Sequence, residues 1–147
     1  MANIRQIRFE ELDDLLRLYR QLHMDDPAIE EDSHLKSLWN EICQDENLFY
    51  IVAEEDGKLV SSCTLAIIKN LTRGLRPYGV IENVITDGEY RKRGLATQVL
   101  HKAVDIAREK NCYKVMLLTS AKDEATLGFY DQAGLQRGIK TGYVLYL

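Results

Sequence analysis

Apolar residues first recur at the spacing of one helical face from Glu10 onward, at Leu12, Leu15, Leu16, Leu18, Tyr19 and Leu22. The short run before them, Asn3 to Arg8, reads as a strand. A second amphipathic stretch uses Leu35, Leu38, Trp39 and Ile42. Between the two lies an acidic turn region, Met24 to Asp32, which holds Asp25, Asp26, Pro27, Glu30, Glu31 and Asp32. The period then shortens to two. Leu48 to Ala53 and Leu59 to Ile68 predict adjacent antiparallel strands, because the Asp56-Gly57 pair between them suits a tight hairpin turn.

Asn70 to Tyr78, with Gly74 and Pro77, is a loop leading into a third apolar run, Gly79 to Thr86. A basic turn, a helix from Gly94 to about Lys110 and an apolar strand at Lys114 to Thr119 come next. Strand, helix and strand in that order form a crossover unit, whose two strands must lie parallel. A shorter helix at Glu124 to Gln132, a stop at Gly134 and a closing strand at Gly142 to Leu147 complete the pattern. The expected fold is α/β (mixed α+β), a single domain over residues 1–147. Its twisted mixed sheet should have about six to seven strands, with helices on both faces.

Composition fits this picture: 147 residues, 46% hydrophobic and 29% charged, are enough for one core. A formal charge of -4 supplies no global field toward nucleic acid or an anionic membrane, so any bound anion must meet a local cluster. Neither nucleic acid nor membrane is therefore expected as a partner. Cys43, Cys63 and Cys112 include no CxxC pair and no His stands at metal-ligand spacing, so neither a metal site nor a disulfide framework is expected. The N-terminus is charged from Arg5 onward and no stretch approaches the roughly 20 apolar residues of a membrane span. A cytoplasmic location is the corresponding expectation.

The local cluster is Arg91, Lys92 and Arg93, immediately before Gly94. The helix they open buries a stripe of Ala96, Val99, Leu100, Ala103, Val104 and Ala107. Helices usually open with Asp or Glu, and three cations against the positive end of the dipole repel unless an anion joins them. Free first-turn amides, a glycine that allows close approach and flanking guanidinium groups together make a phosphate or pyrophosphate cradle. The bland alternative is a solvated charge run. Neither a Walker loop nor a GxGxxG fingerprint is present.

The stretch VIENVITDGEYRKRGLATQVL resembles the strand, turn and coenzyme-binding helix of the Gcn5-related N-acetyltransferase (GNAT) family. Arg91, Gly94 and Ala96 match that family's Q/R-x-x-G-x-G/A pattern. A second block, DEATLGFYDQAGL, is similar to the family's later segment, with Phe129, Tyr130, Gly134 and Leu135 in register. The resemblance implies the acyl-coenzyme A N-acyltransferase fold and an enzyme that moves acetyl from acetyl-CoA, its cosubstrate, directly to a primary amine of a small molecule or peptide. It implies pyrophosphate on the backbone of Arg91, Lys92, Arg93, Gly94, Leu95, Ala96 and Thr97, and a pantetheine arm along Val84, Ile85 and Thr86. The Val84 amide would polarise the acetyl carbonyl, and Tyr130 would protonate the departing thiolate. Asp123 stands where many members carry Asn facing the coenzyme; it is also placed to cap the following helix. Pairing of later strands in the family makes a homodimer through Tyr143 to Leu147 a further expectation.

A lysine-like amine, with a pKa near 10.4, is protonated at neutral pH and must lose a proton before it attacks. Glu82 shares the parity of Val80 and Val84, which places one carboxylate on an apolar face expected to be buried. Burial would raise its pKa toward that of a useful base, acting directly or through water, whereas pairing with Arg5 or Arg73 would make it structural. Tyr130 has its own structural alternative as a core residue. Cys63 and Cys112 fall at predicted buried positions, so no acetyl-cysteine is expected. The acceptor pocket has two candidate walls of opposite sign: the acidic Asp25 to Asp32 region and the loop arginines Arg73 and Arg76. A non-catalytic acyl-CoA sensor using the same cradle is the rival from another class.

Overall fold

Asp56 and Gly57 both take positive φ, 54° and 76°, and close the hairpin between β2 (Leu48–Glu55) and β3 (Lys58–Ile68) where the Asp-Gly pair predicts it. The computed structural model describes residues 1–147. The remaining elements are β1 (Asn3–Gln6), α1 (Leu12–Tyr19), α2 (Ser33–Gln44), β4 (Tyr78–Thr86), α3 (Leu95–Glu109), β5 (Val115–Met116) and α4 (Glu124–Gln132). The sheet runs in the order β1-β2-β3-β4-β5, antiparallel through β4 and parallel between β4 and β5.

Both faces are covered, as the mixed pattern requires. On one, the apolar stripe of α3, with Val99, Leu100 and Ala103 fully buried, packs against Ile51, Cys63, Leu65 and Ile81. On the other, Leu15 of α1 and Trp39 of α2 meet Val52 and Leu59. Trp39 donates its indole N–H to the Phe9 carbonyl at 2.8 Å, so the ring is buried without an orphaned donor.

The sheet has five strands, not the six to seven expected. The run Lys114 to Thr119 pairs with β4 only at Gly79↔Val115 and Val80↔Met116, and Gly142 to Leu147 joins no ladder. Two paired residues offer too short an edge for a further strand to extend. The apolar side chains of the terminal segment stay in solvent, Tyr143 at 91% and Leu145 at 84% exposure. Alternation alone predicted a strand there; a strand also needs a partner.

Pairing between β3 and β4 slips once. Thr64 faces Glu82 and Ser62 faces Ile85, so β4 holds an extra residue and the register leaves Asn83 and Val84 without a β3 partner. Asn83 takes φ 53°, a left-handed conformation that Asn tolerates better than most residues. The slip reverses the inward parity of β4 on either side of it.

A buried charge ties α1 to the end of β4. Asp87, 3% exposed, pairs with Arg17 at 3.0 Å and Lys58 at 3.2 Å and caps the Glu89 amide. Arg17 also reaches Asp14 and the Leu59 carbonyl, and the Gln21 side chain accepts from the Gly88 amide. Burial by itself would push the Asp87 carboxyl up, but the Glu89 amide, Lys58 and Arg17 hold it below its ordinary value. Its contribution to stability is therefore present above the unfolded-state value of about 3.9 and is lost as pH falls through the lower folded value. Asp87→Asn leaves Lys58 without its counter-charge and Arg17 with Asp14 alone, and should cost on the order of 2–3 kcal/mol, seen as a lower denaturant midpoint at unchanged slope. A shift below about 0.5 kcal/mol would remove Asp87 from its organising role.

Candidate functional site

The start of α3 carries the unusual chemistry. Gly94 is its N-cap residue, at φ 76° and ψ 10°, with no side-chain cap. Lys92 is also left-handed, at φ 63°. No backbone hydrogen bond within the protein is donated by the amides of Arg91 to Thr97; the first helical donor is Gln98, to the Gly94 carbonyl. A run of unsatisfied amides at the positive end of a helix dipole is an anion site. A Cβ added at Gly94 would meet nothing within 4 Å, so the space above the backbone is open. Arg91 and Lys92 are exposed and unpaired, while Arg93 pairs with Glu55 at 3.4 Å and lies over the Tyr90 ring at 4.8 Å. Leu95 is buried and contributes only its amide; Ala96 and Thr97 are half-buried.

This tip faces a free strand edge. After Gly79 and Val80, β4 has no β5 partner, and at Asn83 and Val84 it has no β3 partner either. The two parallel strands part beyond this point. Ile85 is nearly buried and its carbonyl accepts from Ser61 Oγ, which also lies 2.9 Å from Thr86 Oγ1. These two residues can offer a ligand backbone and little else. The donor set of free amides, flanking cations and unpaired strand backbone fits the pyrophosphate and amide-containing arm of coenzyme A.

Glu82 is not where the sequence put it. It is exposed, because the buried positions ahead of the slip are Gly79 and Ile81, on the opposite face, and no β5 residue pairs with this part of β4. The burial expected for it is absent. So is the structural alternative: Arg5 is held by Glu11 and Glu54, Arg73 lies against Tyr113, and Glu82 has no ion pair. Across the ladder from it stands Thr64. Tyr130 packs on the α3-side core, within electrostatic reach of Cys63 and Glu82, and burial raises its phenol above the ordinary value. Asp123 caps α4, accepting from the Thr126 amide at 2.9 Å and hydroxyl at 2.8 Å. Those bonds from Thr126 hold its carboxylate below the usual range. Its side chain is committed to the helix, which leaves backbone as its means of touching a coenzyme.

Three hydroxyls meet here, two of them on tyrosines that the sequence marks only as packing or pocket-lining residues. Tyr19 and Tyr50 both aim at Thr64, and Tyr19 also aims at Asn83. Tyr19 Oη and Thr64 Oγ1 are buried, yet neither completes a hydrogen bond. Burial pushes the Tyr19 phenol up to about 12, so it stays neutral. In the sequence Tyr19 sits within the apolar stripe of α1 and looks like core; only its orphaned oxygen marks it otherwise. Asn83 carried a weak signal, an Asn inside a β-rich run.

The model of the acetyltransferase (GNAT) family matches residues 12–135. A glucosamine 6-phosphate N-acetyltransferase from Trypanosoma brucei brucei is 40% identical over 80 residues, 54% of this chain and 52% of that protein. The chain thus matches about half the length of that relative. A candidate ribosomal protein bS18-alanine N-acetyltransferase from Bacillus subtilis is 24% identical over 143 residues, 93% of this chain and 82% of that protein. The solved structure of an acetyltransferase candidate from Agrobacterium tumefaciens str. C58 superposes with a TM-score of 0.93 at 37% identity, covering 99% of each chain.

Cys63, fully buried, has its thiol pushed up to about 12 by burial, which leaves no thiolate to carry an acetyl group. In the folded protein at pH 8, iodoacetamide should modify the exposed Cys43 and leave Cys63 untouched, as read by peptide mass spectrometry. Rapid labelling of Cys63 would reopen a covalent route.

Proposed function

The chain belongs to the acetyltransferase (GNAT) family, and from that premise we propose that it is an acetyl-CoA-dependent N-acetyltransferase acting by direct transfer to a primary amine. The observation that carries this is the run of unsatisfied amides from Arg91 to Thr97 beside a stretch of β4 that has lost both neighbours. Acetyl-CoA supplies the activated thioester; binding, orientation and proton movement belong to this chain.

The amides of Arg91 to Thr97, with Arg91 and Lys92, hold the pyrophosphate. The edge of Val84 to Thr86 that has no parallel strand beside it aligns the arm, and the Val84 amide, outside the β3 ladder, donates to the acetyl oxygen as negative charge develops there. The incoming ammonium must give up a proton. Glu82, exposed and unpaired, draws the cation in, and solvent water beside it takes the proton. The N–C bond then forms as the C–S bond breaks, and the thiolate takes its proton from Tyr130, whose raised phenol keeps that proton at working pH.

Thiol release from acetyl-CoA across a panel of amines tests the activity. A non-catalytic acyl-CoA sensor would bind the coenzyme and release none. Gly94→Asp should fold, since its Cβ meets open space and Asp tolerates the left-handed region, yet lose acetyl-CoA binding by at least about a hundredfold. Retained affinity in calorimetry would rule the cradle out as the coenzyme site. Glu82→Gln should lower kcat/KM about tenfold or more at pH 7 and recover toward wild type as the amine deprotonates at higher pH. An unaltered pH profile would end its role in proton removal.

A further inference from the structure

Between α1 and the segment after it lies a cavity of about 930 Å³. Its walls carry three carboxylates, Asp13, Asp26 and Glu31, against one guanidinium, Arg20, with His23 beside them. None of these five side chains is ion-paired within the chain. Their neighbours are otherwise committed: Asp14 pairs with Arg17, and Asp32 caps α2 through the Leu35 amide. The cavity therefore keeps an excess of negative charge that the protein does not neutralise, and such a surface concentrates cations.

Tyr19 forms the inner wall. It lines the cavity, and its partnerless phenol oxygen aims at Thr64 and Asn83. Asn83 adjoins Val84, whose amide is the proposed acetyl donor site, and Glu82 precedes it. The cavity thus leads toward the point of transfer, with one more carboxylate beside that point.

The two loop arginines that would suit a phosphate-bearing acceptor are engaged elsewhere, which leaves Arg20 as the one cation against three carboxylates in the cavity. Arg76 donates to the carbonyls of Asn111 at 3.2 Å and Cys112 at 3.0 Å, and Arg73 lies 5.9 Å from the centre of the Tyr113 ring. Both sit where β4 begins, on the order of 16 Å along the strand from Asn83.

We infer that the acceptor is a small polycationic amine without a phosphate, a diamine or polyamine. It would rest its spare ammonium among Asp13, Asp26 and Glu31 and present the reacting amine past Tyr19 to the β4 slip. This rests on the N-acetyltransferase reading and narrows its substrate class.

The whole chain, with acetyl-CoA, is offered spermidine, 1,5-diaminopentane and glucosamine 6-phosphate, and thiol release is followed. The two polycations should show kcat/KM about tenfold or more above the sugar phosphate, falling as salt is added. Combining Asp13→Asn, Asp26→Asn and Glu31→Gln should raise the polyamine KM about tenfold, while acetyl-CoA affinity in calorimetry changes less than about twofold. A higher kcat/KM with glucosamine 6-phosphate, an unchanged polyamine KM in the variant, or acetyl-CoA binding without turnover of either polycation would overturn the cationic acceptor. Glucosamine 6-phosphate turnover would still leave the transferase reading standing. Failure of the wild-type chain to bind acetyl-CoA would overturn both.

Discussion

The parting of β4 from β5 after two residue pairs is the constraint on which the rest depends. A parallel pair that stayed zipped would satisfy its own backbone and leave nothing for a ligand to bond. Because the strands separate, the second half of β4 keeps a bare edge, and the slip leaves Asn83 and Val84 without a β3 partner as well. The crossover helix α3 returns from the end of this strand, so its unsatisfied amides fall beside the gap. Unpaired backbone groups are costly when buried; here they line an opening and become the binding surface.

Holding that opening in shape needs rigid support from the opposite face. The Asp87 cluster supplies it by joining α1, the start of β3 and the turn after β4 through one buried carboxylate with two cationic partners. The same contacts set where α1 runs, and α1 carries Tyr19 and one wall of the acidic cavity. Stability and acceptor geometry are coupled through a few charged groups near the end of β4. The proposed coenzyme and acceptor sites approach one strand from different sides, one built of free amides and cations, the other of carboxylates and buried hydroxyls.

The hairpin at Asp56-Gly57, the span of α4 and the unsatisfied helix end at Gly94 were all legible from residue order, because each rests on contacts a few residues apart. A left-handed turn needs Asp-Gly or Gly, a helix needs its cap, and a cluster of cations before a glycine announces an unsatisfied helix end. The buried state of Cys63 was equally readable from its place in an apolar run. Glu82 was misjudged for the opposite reason. Its burial was inferred from a parity shared with Val80 and Val84, but the extra residue at Asn83 breaks the parity with Val84, and the buried positions ahead of it are Gly79 and Ile81.

The chain by itself thus determined its local units, their order and the chemistry of one helix tip, since turn angles, caps and amphipathic spacing act within short stretches. Tertiary structure alone decided that the sheet stops at five strands, that Glu82 meets solvent, that Arg73 and Arg76 are engaged away from the cavity, and that Tyr19 and Thr64 keep hydroxyls without partners. Each of these depends on which distant segments pair and which lie uncovered, a competition among contacts between residues far apart in the chain that no single stretch of it encodes.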